Sequence, residues 1–124
     1  MVISWISRHP PTDSQRAELI RLFGPHQLRT DTDSFAGAVD IAKRIREVGA
    51  QEVVCVAPLS VLKHLLEYGI RPLVAEMEQC PKAEAEVPTP SYRRGRFYKF
   101  KRFRRLTGIV MTYEDVNPLP PQTT

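Results

Sequence analysis

The residues best suited to chemistry stand near the start of the chain, in the run Ser7-Arg8-His9-Pro10-Pro11-Thr12. Arg8 offers a planar, permanently charged fork that can grip a phosphate through two hydrogen bonds. His9 belongs to the one side-chain type whose ordinary pKa lets it give or take a proton near neutral pH. Ser7 and Thr12 add hydroxyls that both donate and accept. Ser7, Arg8 and His9 are therefore the catalytic candidates, with phosphoryl chemistry the best match to their types. The same residues also fit a structural role, with Ser7 and Thr12 as caps and His9 simply exposed before two prolines.

Further along, Thr30, Asp31, Thr32 and Ser34 form a short polar run, and Ser60 follows Pro58. Thr12, Thr30, Thr32, Ser34 and Ser60 are candidate ligand contacts. A third constellation lies between Tyr92 and Arg105, where eight Lys or Arg and no acid are interleaved with aromatic residues. Cations there could take phosphates while Tyr98 or Phe100 stacks on a base, and Arg102 and Arg104 are the binding candidates. The alternative is a hairpin with its aromatics packed inward and its cations in water.

Other chemistries fit poorly. There is no G-x-G-x-x-G turn, no Walker loop and no G-x-S-x-G elbow. His9, His26 and His64 lack metal-ligand spacing with Cys or acids, so no metal site and no cofactor are expected. Cys55 lies in an apolar run and Cys80 stands alone; two lone thiols point to a reducing compartment.

The elements that must position these residues read as follows. Val2 to Ser7 is apolar and β-branched, which predicts a first strand, ended by Pro10-Pro11. Thr12 and Gln15 make a capping box for a helix running to about Phe23, with Ala17, Ile20 and Phe23 on its inner face. His26 to Thr30 is a weak second strand. Ala38, Ile41, Ala42, Ile45 and Val48 carry a second helix, closed by Gly49. Glu52 to Ala57 is a third strand, covered on both faces. Val61, Leu62, Leu65 and Leu66 mark a third helix, and Ile70 to Glu76 a fourth strand that Pro72 places at its start or at an edge.

Strands alternating with helices predict an α/β fold, a Rossmann-like parallel sheet of about four strands within residues 1–77. Residues 78–91 read as a Pro-rich linker or loop. Residues 92–116 read as a basic β-hairpin completing the same domain, with its paired arms between about Phe97 and Tyr113. The recurrence of Phe97, Phe100, Phe103 and Leu106 every three residues also suits a helix. Residues 117–124 read as a disordered tail. In such sheets ligands bind beyond the carboxyl ends of the strands, which is where Ser7 to Thr12, Thr30 to Ser34 and Ser60 fall. Helix N-termini beside them favour phosphate.

The bulk properties agree with one domain. The chain has 124 residues, 42% hydrophobic and 26% charged, enough for a single core. Its net charge of +4 is concentrated in the 92–105 segment, so the rest is net acidic. The opening run is too short for a signal sequence and no stretch suits a membrane span, so the expectation is a cytoplasmic protein with no membrane partner.

From His9-Pro10-Pro11-Thr12-Asp13-Ser14-Gln15 the chain resembles small CRISPR-associated Rossmann-like proteins, in which a first strand ends in a Ser/His/Pro/Thr-type motif before a helix. Several of these are ring nucleases, which degrade cyclic oligoadenylate second messengers in antiviral signalling. The resemblance covers the first strand and the start of the first helix. It implies metal-independent cleavage of a cyclic oligoadenylate, cyclic tetra-adenylate above all, with the substrate's 2′-hydroxyl as nucleophile. It further implies that Arg8 stabilises phosphoryl charge, that His9 transfers a proton, and that Ser7, Thr12, Thr30 and Ser34 position ribose and phosphate. A symmetric ligand would favour a homodimer with one His9 from each subunit. The alternatives are a non-catalytic module binding a nucleotide or RNA, and a defence or anti-defence protein that docks on a partner.

Overall fold

A computed structural model describes residues 1–86 and 96–121. The elements are β1 (Val2–Ile6), α1 (Asp13–Phe23), β2 (Gln27–Asp31), α2 (Ala38–Val48), β3 (Glu52–Cys55), α3 (Leu59–Glu67), β4 (Leu73–Cys80) and β5 (Phe97–Arg105), with a short 3-10 turn at Lys82–Glu84. They form one five-stranded sheet in the order β2-β1-β3-β4-β5. The first four strands run parallel and β5 is antiparallel to β4. The fold is thus α/β with a mostly parallel sheet, an arrangement compatible with the Rossmann-like expectation.

The two faces of the sheet are covered by different helices. On one, Ile3, Trp5, Val54 and Leu73 pack with Leu19 of α1. On the other, Ile6, Val53 and Cys55 pack with Ala38 and Ile41 of α2 and Leu62 and Leu65 of α3. β1 and β3 supply residues to both clusters, which is why their sequences are nearly unbroken apolar runs. Cys55 is fully buried, and desolvation pushes its thiol up to about 11, so it packs as a small apolar side chain.

Each parallel strand after β1 follows a helix, and the ends of these helices are legible. α1 begins with the expected capping box: the Gln15 N–H donates to Thr12 Oγ1 at 3.3 Å and the Thr12 N–H donates to Gln15 Oε1 at 2.9 Å. α2 ends at Gly49, whose φ of 66° lets the Ala50 N–H reach the Ile45 carbonyl. The inner face of α1 differs from expectation. It is Gln15, Leu19 and Phe23 that face the sheet, while Ala17 and Ile20 are exposed. The capping box holds Gln15 inward, and residues four apart then share its face.

The C-terminal part departs furthest from the sequence reading. β4 runs on to Cys80, so Glu78, Gln79 and Cys80 belong to a strand and not to a linker. β5 takes β4 as its antiparallel partner, and Ile109–Tyr113 is not a strand. The hairpin therefore pairs Phe97–Arg105 with the strand before it. Cross-strand chemistry explains the choice: Glu76 stands opposite Arg102, Glu78 opposite Lys99, and Ala75 and Met77 opposite Phe103 and Phe100. The Leu106 N–H then donates to the Pro72 carbonyl, and Leu106 and Ile109 pack onto the α2–α3 cluster, which carries the chain away from β5. Residues 87–95, including the predicted linker's Pro88 and Pro90 and the cations Arg93 and Arg94, lie outside the described residues, as do residues 122–124.

A bulge reconciles the three-residue aromatic spacing with a strand. The register shifts between Glu76 and Met77: Glu76 pairs with Arg102 and Met77 with Phe100, which leaves Lys101 unpaired. That extra residue puts Phe100 and Phe103 on the same face, with ring centroids 4.7 Å apart. Deleting Lys101 should remove the bulge and leave Phe100 two residues from Phe103, still on the same face of a regular strand. We expect urea denaturation to show a loss of more than about 1 kcal/mol for Phe100→Ala, which removes the ring packed on Phe103, and a change within about 0.5 kcal/mol for Lys101→Ala, which keeps the bulge.

Candidate functional site

The strand order places a switch point between β1 and β3. From β1 the chain crosses by α1 to one side, and from β2 it returns by α2 to the other. The carboxyl ends on either side of that point are where open α/β sheets take ligands. Here they bring residues 7–12 and 56–60 side by side, joined by the Val56 N–H donating to the Ile6 carbonyl at 3.0 Å. The β2 tip lies on the other flank, where the Ser7 N–H donates to the Asp31 carbonyl at 3.2 Å.

The loop after β1 is held from within. Trp5 is 3% exposed, and its indole N–H donates to the His9 carbonyl at 2.8 Å. The His9 N–H donates to Ser7 Oγ at 3.3 Å, closing a small turn around Arg8. Both main-chain polar groups of His9 are thereby tied. Its imidazole and the Arg8 guanidinium are exposed, with no hydrogen-bond or ion-pair partner among the described residues. Ser7 is buried and shapes the turn. Thr12 is engaged as the α1 cap, and its hydroxyl also lies 3.3 Å from a Glu86 carboxylate oxygen that Ser14 contacts too.

The β2 tip is organised by a residue the sequence reading overlooked. Arg44 of α2 donates to the Ser34 carbonyl at 2.6 Å, the Asp33 carbonyl at 3.3 Å, the Asp40 carboxylate at 2.9 Å and the Asp31 carboxylate at 3.3 Å. Asp40 in turn accepts the Ala36 N–H at 3.0 Å. This clamp fixes the loop while the side chains of Thr30, Thr32 and Ser34 are exposed. Ser60 is exposed in the first turn of α3. The missed signal was the i, i+4 spacing of Asp40 and Arg44, an ordinary surface pair by sequence alone.

The basic strand is largely matched by acids. Arg102 donates to Glu76 at 2.6 Å, with Lys101 and Arg104 each 3.9 Å from the same carboxylate. Lys99 pairs with Glu78 and Glu84, and Arg105 with Glu52 at 2.8 Å. The hydrogen bond from Arg102, with the nearby cations, holds the Glu76 carboxyl below its usual range. Three cations around one carboxylate still leave this patch positive. Arg102 and Arg104 are thus held on the β4–β5 pair, by their strand positions at a distance from the β1 tip, and the structure does not join them to Arg8 and His9 in one cluster.

No three His, Cys, Asp or Glu side chains among the described residues group to hold a metal ion. No helix among them is long and apolar enough to cross a membrane. Comparison with protein-family models, with curated proteins and with solved structures finds no match to the chain in any of the three.

The backbone hydrogen bond from Ala36, reinforced by Arg44, lowers the Asp40 pKa in the folded protein. The stabilisation is therefore complete above the ordinary carboxylate range and is lost as pH falls through the lowered pKa. Amide exchange should show the protection factor of Ala36 dropping several-fold on acidification and in Asp40→Ala at neutral pH, with Leu19 in α1 unchanged.

Proposed function

We propose that the β1–β3 edge binds the phosphates of a nucleotide, and that the ligand is a cyclic oligoadenylate which the protein opens without a metal ion. The observation that carries the reading is the state of Arg8 and His9. A guanidinium and an imidazole stand at the switch point on a backbone fixed by Trp5 and Ser7, with their heads uncommitted among the described residues. Such placement suits ligand contact better than packing. The resemblance of the His9–Gln15 run to ring nucleases supplies the substrate class and the antiviral CRISPR setting.

In this reading the ligand's 2′-hydroxyl attacks the adjacent phosphorus and the 5′-oxygen leaves, giving a 2′,3′-cyclic phosphate and a free 5′-hydroxyl. Arg8 offsets charge on the phosphoryl oxygens. His9 protonates the leaving 5′-oxygen as imidazolium or accepts the 2′-proton as imidazole. Thr32, Ser34 and Ser60 are the exposed hydroxyls at neighbouring tips for ribose and phosphate contact.

The test is incubation with cyclic tetra-adenylate in EDTA, with products separated by chromatography. Wild type should yield linear products ending in a 2′,3′-cyclic phosphate. His9→Ala should slow the reaction by at least about 100-fold, the usual contribution of one positioned acid or base. Arg8→Ala should slow it by a similar factor. Intact substrate with wild type, or unchanged cleavage by His9→Ala, rules out the chemistry.

A second reading is favoured by one observation: no described residue orients the His9 ring, whereas a catalytic imidazole is usually held by a partner at its second nitrogen. A binding module for a nucleotide or RNA needs no such partner. It predicts saturable binding that weakens steeply with salt, the ligand recovered intact, and little effect of His9→Ala.

A further inference from the structure

Along the outer side of α2, from Val39 in its first turn to Gly49 and Ala50 at the amino edge of the sheet, α2 and the end of α3 line an open groove of about 940 Å³. Val39, Ala42, Ile45, Tyr68 and Ile70 give it an apolar lining, to which Lys43 and Arg46 add positive charge. Val39 is 67% exposed and Tyr68 56%, high values for large apolar side chains around a concavity.

The segment that leaves β5 has the complementary chemistry. Because β5 is antiparallel, its chain emerges at this same amino edge, where Arg105 pairs with Leu73. Leu106 and Ile109 pack onto the cluster that also contacts Ile45 and Ile70, two of the groove's own residues. Beyond Ile109 the chain leaves the surface. Val110, Tyr113, Val116 and Leu119 are 89%, 84%, 94% and 90% exposed. Between them stand Glu114 and Asp115. An apolar, acidic tail thus starts beside an apolar, basic groove and does not enter it.

We propose that residues 110–119 of one copy fill the α2–α3 groove of a second copy, giving a reciprocal dimer. The tail's apolar side chains meet Val39, Ile45 and Tyr68, and Glu114 and Asp115 meet Lys43 and Arg46. Two identical tails and two identical grooves satisfy each other in a closed pair, which a one-way exchange does not. The tail's root lies beside its own groove, yet its apolar residues stand in solvent, so the segment that covers the groove comes from another molecule. Neither Arg8 nor His9 lines this groove, and the interface needs no ligand at the β1 tip.

Sedimentation velocity on the ligand-free full-length protein at micromolar concentration reads the answer. Wild type should sediment as a dimer. Two variants on exposed residues, Val39→Asp in the groove and Val110→Asp with Tyr113→Asp in the tail, should each weaken it at least about tenfold, as removal of a central apolar anchor does. Their unchanged circular dichroism would show that folding is retained. Glu114→Lys with Asp115→Lys should also weaken the dimer, and adding Lys43→Glu with Arg46→Glu should restore affinity at least about threefold, since opposite charges again face each other. A wild-type monomer, including one whose tail is protected from protease by its own groove, overturns the proposal. So does a dimer that resists the groove and tail variants, or one that the charge exchange fails to restore.

Discussion

Trp5 ties together three parts of the molecule that the chain keeps far apart. Its ring lies in the cluster between the sheet and α1, meets Phe103 of β5 edge-on at 6.2 Å, and carries the one indole donor that holds the His9 carbonyl. An indole buried without a partner for its N–H would be costly, so core packing and loop position are satisfied together or not at all. The candidate site inherits its backbone geometry from the core. Among the described residues the Arg8 and His9 side chains take no part in that packing.

The same economy governs the β4–β5 pair. β5 is an edge strand with a free side, and a long apolar edge invites pairing with other chains. Its charges answer both needs. Lys99, Arg102 and Arg104 alternate with the aromatic face, bind the acids of β4, and leave the outer edge positive. The bulge at Lys101 then supplies the rotation that sends Phe100 and Phe103 inward. A segment that looks like a polyanion clamp in one dimension is, in three, first of all a strand paired by charge with its neighbour. Its surplus of positive charge remains available for steering an anionic ligand.

The two tips beside β1 are built differently, and the difference bears on function. The β2 tip is locked by Arg44, whose hydrogen bonds go to Asp31, Asp40 and two loop carbonyls, so its guanidinium is committed. The β1 tip has its main chain fixed, and its charged heads have no partner among the described residues. An arginine spent on loop carbonyls is scaffold, whereas an arginine with no internal partner keeps its hydrogen-bonding capacity for a ligand. The contrast is in how each tip spends its charge: among the described residues the β2 guanidinium is committed to the loop, and the β1 guanidinium and imidazole are not.

Much of this was legible along the chain. The apolar runs of β1 and β3, the Thr12–Gln15 capping box and the Gly49 stop are local patterns, set by side-chain type and by spacing within a few residues, and the α/β alternation follows from them. The polar strand ends were legible for the same reason. What the chain order could not show was which strand β5 would choose. That depended on Glu76, Glu78, Ala75 and Met77 lying opposite Arg102, Lys99, Phe103 and Phe100, a match between segments about 25 residues apart. Nor could spacing reveal that Trp5 holds His9, that Arg44 clamps the β2 tip, or that Arg102 and Arg104 answer to Glu76. The inner face of α1 was misread because apolar type alone favoured Ile20, while the cap and the sheet turned Gln15 and Leu19 inward. The sequence by itself determined the elements and the tips that bear polar residues, because these follow from short-range geometry and burial. The tertiary structure alone decided which charges are spent within the protein and which remain free, because a charge's partner is set by distance in space and not by position along the chain.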